Sequence, residues 1–294
     1  MIFSGYFERA VRAALRNLPV PDYYKTRLWA TSIGSPQGRV HDWAYYRCIE
    51  LATRAFATAE GYQIAFPGAG EPGSRYSMLE FGVARGQSLQ IMLHFRDVWL
   101  RRLGLKNRVM VAGFDTFEGI PAPRAGDEGL DWREGDFNQA NKEEIERTVG
   151  RKFQNLNLVK GKFADTLPGQ GDFLREYLPV FVSIDCDYYS STMDIFNYLL
   201  PERAPHGCLF YFDDVSMHFY TDLTGELKAV KEVNEGAFGD HIRLVEHPLW
   251  IETGELRHYR QVWRLFNLKT AEQLAGARRP GFRQVTRRPR LAPL

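Results

Sequence analysis

The chain has 294 residues, of which 44% are hydrophobic and 25% are charged. This is the composition of an ordinary globular protein, and it excludes wholesale disorder and fibrous proteins. The length favours one catalytic domain with additions at its ends.

The cysteines and the N-terminus bear on the cellular compartment. Cys48, Cys186 and Cys208 show no CxxC spacing, and their odd number does not support a disulfide framework or a thiolate zinc site. We therefore expect a cytoplasmic protein. Glu8 interrupts the apolar N-terminal stretch, which argues against a signal peptide, and no run is long enough for a membrane span.

The net charge of +2 comes from the C-terminus, where six arginines and no acids lie in the last seventeen residues. Without them, 36 acids face 32 bases, so the body of the chain is slightly acidic. We predict a basic, flexible tail over residues 271–294. Nucleic-acid binding by this tail is the less favoured interpretation, because the segment has several prolines and no periodicity.

Residues 1–60 are predicted to form a helical cap. Apolar residues recur at helical spacing over residues 5–18, a second helical stretch covers about 42–58, and a Gly- and Pro-rich loop follows at 66–74. The aromatic side chains of this region pack internally or stack on a ring-shaped acceptor.

After the loop, short apolar strands alternate with helical patterns. Strands are predicted at 76–81, 109–114, 156–159, 180–184 and 208–212, and a late strand near 259–264 is expected to run antiparallel. This rhythm predicts an α/β domain over residues 61–270 with a mainly parallel sheet.

Acidic residues end these strands, at the edge of the sheet where ligands bind. In LEFGVARGQS, Glu80 precedes a turn flanked by Gly82 and Gly86, which brings backbone amides close to a ligand or serves tight packing. The motif departs from GxGxxG, which disfavours a nicotinamide enzyme. In GFDTFEG, Asp115 suits the hydroxyl groups of a ribose, or caps a turn. Asp165 in GKFADTLP lines an adenine pocket or caps a helix.

The segments SIDCDYYSST and YFDDV place four carboxylates at the ends of two strands that we expect to be neighbours. Asp185, Asp213 and Asp214 offer the hard oxygen ligands that Mg²⁺ prefers, and a cation would relieve their repulsion. The alternative is that these carboxylates cap helices or pair with arginines.

Asp187 is the first candidate for the general base. If extended geometry persists after Asp185, then Asp187 turns to the same side and Cys186 points away. The Tyr188 hydroxyl is the second candidate, provided that a metal lowers its pKa from about 10. Either residue would otherwise only orient ligands. The seven histidines show no paired metal spacing. His218 follows the acidic strand end and could face the acceptor, but a loop histidine without such a role is the favoured interpretation.

Together the five motifs, in this order, resemble the macrocin O-methyltransferase family, whose metal-dependent enzymes methylate sugar hydroxyls of natural products. The resemblance covers about residues 76–235 and implies a Rossmann-like class I methyltransferase fold that binds S-adenosylmethionine. It implies metal ligation by Asp185, Asp213 and Asp214, and base catalysis by Asp187. It also implies cofactor contacts from Glu80, Gly82, Ser88, Asp115 and Asp165. Cys186 and Ser190 depart from the family pattern, which bears mainly on the acceptor pocket.

The expected reaction is therefore methylation of a hydroxyl group with help from Mg²⁺ or another divalent cation, on a small and preferably glycosylated acceptor with two adjacent oxygens. A homodimer through the N-terminal helices is left open. One alternative is a non-catalytic cofactor-binding or nucleic-acid-associated protein that uses the arginine-rich tail. A nicotinamide-dependent sugar oxidoreductase ranks last, because no catalytic tyrosine–lysine pair is evident.

Overall fold

The computed structural model describes Ile49 and residues 75–102, 108–138, 141–201, 203–204, 206–216, 221–246 and 261–269. Apart from Ile49, the predicted N-terminal cap lies outside these residues, as do the predicted tail and His218. No helix in the described ranges has the length and apolar character needed to cross a membrane.

Strands and helices alternate along the described chain. In order they are β1 (Tyr76–Phe81), α1 (Gln87–Arg102), β2 (Val109–Asp115), α2 (Lys142–Ile145), β3 (Leu156–Lys160), α3 (Phe163–Thr166), α4 (Gly171–Glu176), β4 (Leu178–Ile184), α5 (Tyr189–Leu199), β5 (Leu209–Phe212), α6 (Gly225–Asn234), β6 (Ile242–Glu246) and β7 (Val262–Asn267). A π-helical turn (Glu146–Gly150) extends α2, and 3-10 turns occupy Leu167–Gln170 and Asp214–Ser216.

The strands form a seven-stranded sheet in the order β3-β2-β1-β4-β5-β7-β6. Strands β1 to β5 pair in parallel, whereas β7 runs antiparallel to both β5 and β6. The prediction of a mainly parallel sheet with a late antiparallel strand is confirmed. The predicted neighbours that carry the acidic motifs, β4 and β5, are also adjacent.

The sheet is covered on both faces, which explains the continuous apolar runs of its central strands. Every residue of β1 is buried. Successive side chains of a strand point to opposite faces, so Met78 joins one core cluster with Leu89 and Met92 of α1. Leu79 joins the other cluster, with Phe196 of α5. Because both faces are covered, a ligand would bind at the carboxyl edge of the sheet.

Strand β6 was not among the predicted strands. It contains only two buried residues, Ile242 and Leu244, and Val245 is 47% exposed. Among the described strands, it lies at the edge of the sheet and pairs only with β7. Its short alternation of apolar residues is therefore a much weaker sequence signal for a strand than the continuous apolar runs of the central strands.

Gly82 lies where the loop after β1 crosses the end of β4. A Cβ atom at this position would lie 1.7 Å from the carbonyl oxygen of Asp185, and the φ angle of Gly82 is +87°. The Gly82 amide donates to the Phe114 carbonyl, while the Asp185 amide donates to the Phe81 carbonyl, both at 2.9 Å. The ends of β1, β2 and β4 are thus tied together, and this contact requires glycine.

We predict that Gly82→Ala lowers the free energy of unfolding by roughly 3 kcal/mol or more, because it combines a positive φ with a backbone clash. Urea unfolding followed by circular dichroism measures the change. Gly150→Ala is the matched control, since nothing lies within 4 Å of its Cβ position and its φ is not positive. Equal stabilities for the two variants would contradict the prediction.

Candidate functional site

Four acids lie at the carboxyl edge of four adjacent strands. Glu80 is near the end of β1, Asp115 ends β2, Asp185 directly follows β4 and Asp213 directly follows β5. The strand order places them side by side, because β2, β1, β4 and β5 are consecutive in the sheet. The sequence-based expectation that these acids share one edge is confirmed.

The densest group is made by Asp185, Asp213 and Asp214. One carboxylate oxygen from each lies within 4.8 Å of the other two. Asp185 keeps access to solvent, and Asp213 and Asp214 are half-buried. Burial raises the pKa of Asp185 and Asp214 well above their usual range, and neighbouring carboxylates raise both further. The arrangement has the donor type and spacing of a divalent cation site.

Asp187 borders this group but does not have the expected backbone geometry. Its φ is +58°, so the chain turns into the left-handed region and the expectation of extended geometry is wrong. The Asp187 amide donates to Oδ2 of Asp214 at 3.2 Å. This hydrogen bond between the loops after β4 and β5 favours the turn and keeps Asp187 beside the cluster.

Tyr188 has a structural contact that disfavours it as a base. The residue is 1% exposed, and its hydroxyl donates to the carbonyl of Trp132 at 3.0 Å. Burial raises the pKa of Tyr188, and the charges of Asp127 and Asp187 raise it further. The Tyr188 hydroxyl is thus committed to a backbone carbonyl, and the choice between Asp187 and Tyr188 as the base stays a prediction.

Sequence reasoning missed Glu226, a fully buried carboxylate at the start of α6. Its Oε1 accepts the Cys186 amide at 3.3 Å, and its Oε2 accepts the Asp214 amide at 3.4 Å. Glu226 therefore bridges the two acidic loops through their backbones. Its signal in the sequence was an acid on the apolar stripe of a helix, in line with Val230 and Val233.

The other end of the site is formed by Glu80, Ser88 and Asp115. Glu80 is 1% exposed, its Oε1 accepts the hydroxyl of Ser88, and its Oε2 has no hydrogen-bond partner in the described part of the chain. Asp115 Oδ2 accepts the amides of Val83 and Ala84 at 2.7 and 3.0 Å. Asp115 thus holds the glycine-flanked loop, whose amides we expected to face a ligand.

Two further predicted cofactor residues have simpler surroundings. Gly86 has a φ of +72° and its amide donates to the Val83 carbonyl at 2.7 Å, which closes the turn before α1. Asp165 is an exposed residue within α3, whose N-cap is Lys162. Helix capping, the alternative for Asp165, is therefore wrong, and its place beside an adenine pocket stays a prediction.

The segment 116–138 after β2 is anchored beside the acids. Asp127 is 3% exposed and accepts both the amide and the hydroxyl of Ser190, at 2.8 and 2.7 Å. Lys228 of α6 donates to the Gly126 carbonyl at 2.9 Å. Ser190, which departs from the family pattern, thus fixes this segment against α5. Near its end, Phe137 is 49% exposed and packs edge-to-face with Trp132 at 5.0 Å between ring centroids.

Comparison with known proteins identifies relatives. The family model described as Macrocin-O-methyltransferase (TylF) matches residues 71–237, more than half of the chain. The solved structure of CalS11, a calicheamicin methyltransferase, is similar with a TM-score of 0.53 and 19% identity, over 88% of this chain and 91% of CalS11. The O-methyltransferase NovP is similar with a TM-score of 0.51 and 21% identity, over 76% of this chain and 79% of NovP. No curated protein matches the chain.

Glu80 generates a prediction about pH. Burial is the main cause that raises the pKa of Glu80 to about 8. The hydrogen bond from Ser88 lowers this pKa, and the charges of Asp115 and Asp213 raise it. The unfolded chain loses this proton near pH 4.5 and the folded protein near pH 8, so Glu80 lowers the free energy of unfolding progressively between these values. Without metal or cofactor, the free energy of unfolding of Glu80→Gln should exceed that of wild type by on the order of 4 kcal/mol above pH 8. Near pH 4 the two proteins should differ little.

Urea unfolding from pH 4 to pH 9 in the presence of a chelator tests this difference. The matched control is Glu235→Gln, which makes the same chemical change at an exposed position after α6. If the curves of wild type and Glu80→Gln run parallel across this range, Glu80 does not titrate as described.

Proposed function

The chain belongs to the macrocin O-methyltransferase family, and on that basis we propose a reaction for it. It transfers the methyl group of S-adenosylmethionine to a hydroxyl of a sugar or another natural product, with help from a divalent cation. One observation carries the proposal. The carboxylates of Asp185, Asp213 and Asp214 come within 4.8 Å of one another at the edge of the sheet that also holds Glu80 and Asp115.

The residues around Glu80 fit S-adenosylmethionine. The cofactor carries an ammonium group, which supplies hydrogen-bond donors of the kind that the buried Oε2 of Glu80 lacks among the described residues. Asp115 remains partly accessible at the end of β2, where an acid suits the hydroxyls of a ribose. We assign cofactor contacts to Glu80, Gly82, Gly86, Ser88, Asp115 and Asp165.

The acidic cluster fits a divalent cation. Asp185, Asp187, Asp214 and Glu226 face one another, and the pKa of three of them is raised, first by burial and then by mutual repulsion. A cation offsets this repulsion, and carboxylate oxygens are the ligands that Mg²⁺ prefers. Asp185, Asp213 and Asp214 would hold it, and Asp187 and Glu226 would lie beside it.

When bound, S-adenosylmethionine supplies an electrophilic methyl group, and the cation supplies positive charge that lowers the pKa of a nearby hydroxyl. Held by the residues around Glu80 and Asp115, the cofactor would supply this methyl group to the acceptor oxygen, and its sulfur would keep the electron pair of the carbon–sulfur bond. Asp187 accepts the proton that the hydroxyl loses. The chain itself contributes alignment, because β1, β4 and β5 fix the two halves of the site on one rigid edge.

The acceptor is proposed to lie against the segment 116–138, which is anchored next to the acids through Asp127 and Ser190. We favour a small glycosylated molecule with two adjacent oxygens. The catalytic domain is assigned to residues 61–270, which enclose the family match, with residues 1–60 as a cap over the acceptor and 271–294 as a tail.

We predict that Asp185→Asn and Asp213→Asn lower metal-dependent methyl transfer at least about 100-fold, because each removes a negative ligand from the cation site. Turnover is measured with and without a chelator, and calorimetry should show unchanged S-adenosylmethionine affinity. Asp240→Asn is the control, because its side chain is fully exposed. Full activity of folded Asp185→Asn and Asp213→Asn proteins in a chelator would disprove metal assistance.

A separate prediction concerns the base. Asp187→Asn should lower kcat by about 10²- to 10⁴-fold, since an amide cannot accept the proton, while the affinities for metal and cofactor stay near wild type. Tyr188→Phe should change kcat little, because the Tyr188 hydroxyl is committed to the Trp132 carbonyl. Rate measurements at saturating metal and cofactor decide between them. A larger loss in Tyr188→Phe would reverse the assignment.

A further inference from the structure

Tyr211 makes a short hydrogen bond to one of the acids of the cluster. The residue lies on β5 and is 2% exposed. Its hydroxyl donates to Oδ1 of Asp213 at 2.6 Å. Among the hydrogen bonds of the described residues, the Asp213 side chain accepts this one at Oδ1 and none at Oδ2, so Oδ2 is the oxygen that remains for another ligand.

Gln261, directly before β7, fixes the direction of this hydrogen bond. Its Nε2 lies 3.1 Å from the Tyr211 hydroxyl oxygen and 3.1 Å from the carbonyl oxygen of Asp213. A carbonyl oxygen only accepts, so the group facing it must be the NH₂ of the side-chain amide. The second hydrogen of Nε2 then points to the Tyr211 oxygen, which leaves the Tyr211 proton for Asp213.

This arrangement is unfavourable for the side-chain oxygen of Gln261. The residue is 0% exposed, and its Oε1 has no hydrogen-bond partner among the residues that the structure describes. Leaving a buried acceptor unpaired is unfavourable, so the amide is held in place for its donors. Both donors serve Asp213, one through the backbone carbonyl and one through Tyr211.

We propose that Tyr211 and Gln261 are positioning residues that hold Asp213 with Oδ2 toward the cation site. The inference rests on the proposed function, because it presumes that Asp213 is a metal ligand. Neither residue contacts the reacting atoms. Together they restrict rotation of the Asp213 carboxylate. A cation would therefore bind a ligand that is already oriented, and less side-chain entropy would be lost on binding.

Manganese binding tests the inference without reference to turnover. Free Mn²⁺ is followed by electron paramagnetic resonance during titration of wild type, Tyr211→Phe, Gln261→Leu and Tyr198→Phe. Tyr211→Phe removes only the hydroxyl, and it should weaken Mn²⁺ binding about 10- to 100-fold, with a smaller loss in Gln261→Leu. Tyr198→Phe removes a hydroxyl from α5 outside the cluster and should bind like wild type.

Two further readouts separate positioning from general damage to the fold. The affinity for S-adenosylmethionine, measured by calorimetry, should stay within about twofold of wild type, and higher Mn²⁺ concentrations should restore turnover in Tyr211→Phe. Loss of cofactor binding together with metal binding would overturn the positioning role. If Tyr211→Phe fails to fold, the Mn²⁺ affinity of Gln261→Leu decides.

The outcomes also separate this inference from the proposed function. If wild type binds Mn²⁺ and both variants bind it equally well, the positioning role is overturned and the metal site stands. If wild type binds no Mn²⁺, metal assistance is overturned, and the positioning role with it.

Discussion

The repulsion among carboxylates at the ends of β4 and β5 is the constraint on which the rest of the site depends. Burial and mutual charge oppose ionisation of Asp185, Asp214 and Glu226 together. The fold nevertheless brings these groups together with specific contacts. Gly82 allows the close approach of two loops, and Glu226 joins the backbones of both acidic segments. A bound cation would relieve this repulsion, which is the reason for proposing metal assistance.

Much of this arrangement follows from local sequence. A strand buried on both faces is a continuous apolar run, and in a parallel sheet the residue that ends the run lies at the binding edge. This reasoning correctly predicted strands β1, β2, β4 and β5 and the acidic residues at their ends. It also placed β4 beside β5, so the meeting of Asp185 with Asp213 was predictable before any coordinates.

What could not be predicted depends on contacts between distant segments. The left-handed turn at Asp187 accompanies a hydrogen bond to Asp214, and the role of Glu226 depends on where α6 begins relative to β4. Gln261 reaches Asp213 only because β7 is inserted beside β5. In each case the residue type was visible in the sequence, but its partners lie 12 to 48 residues away. Periodicity and capping rules carry no information at that range.

The position of β7 between β5 and β6 has a consequence for the order in which the sheet is completed. During synthesis, the apolar strand LFYF of β5 emerges before β6 and well before β7. Until residues 262–267 arrive, β5 is an open edge of four large hydrophobic residues, and β6 lacks its one partner among the described strands. An unprotected apolar edge invites pairing with other chains. Strand β7 therefore completes the described part of the sheet, and we expect chains truncated before it to aggregate rather than only to lack one strand.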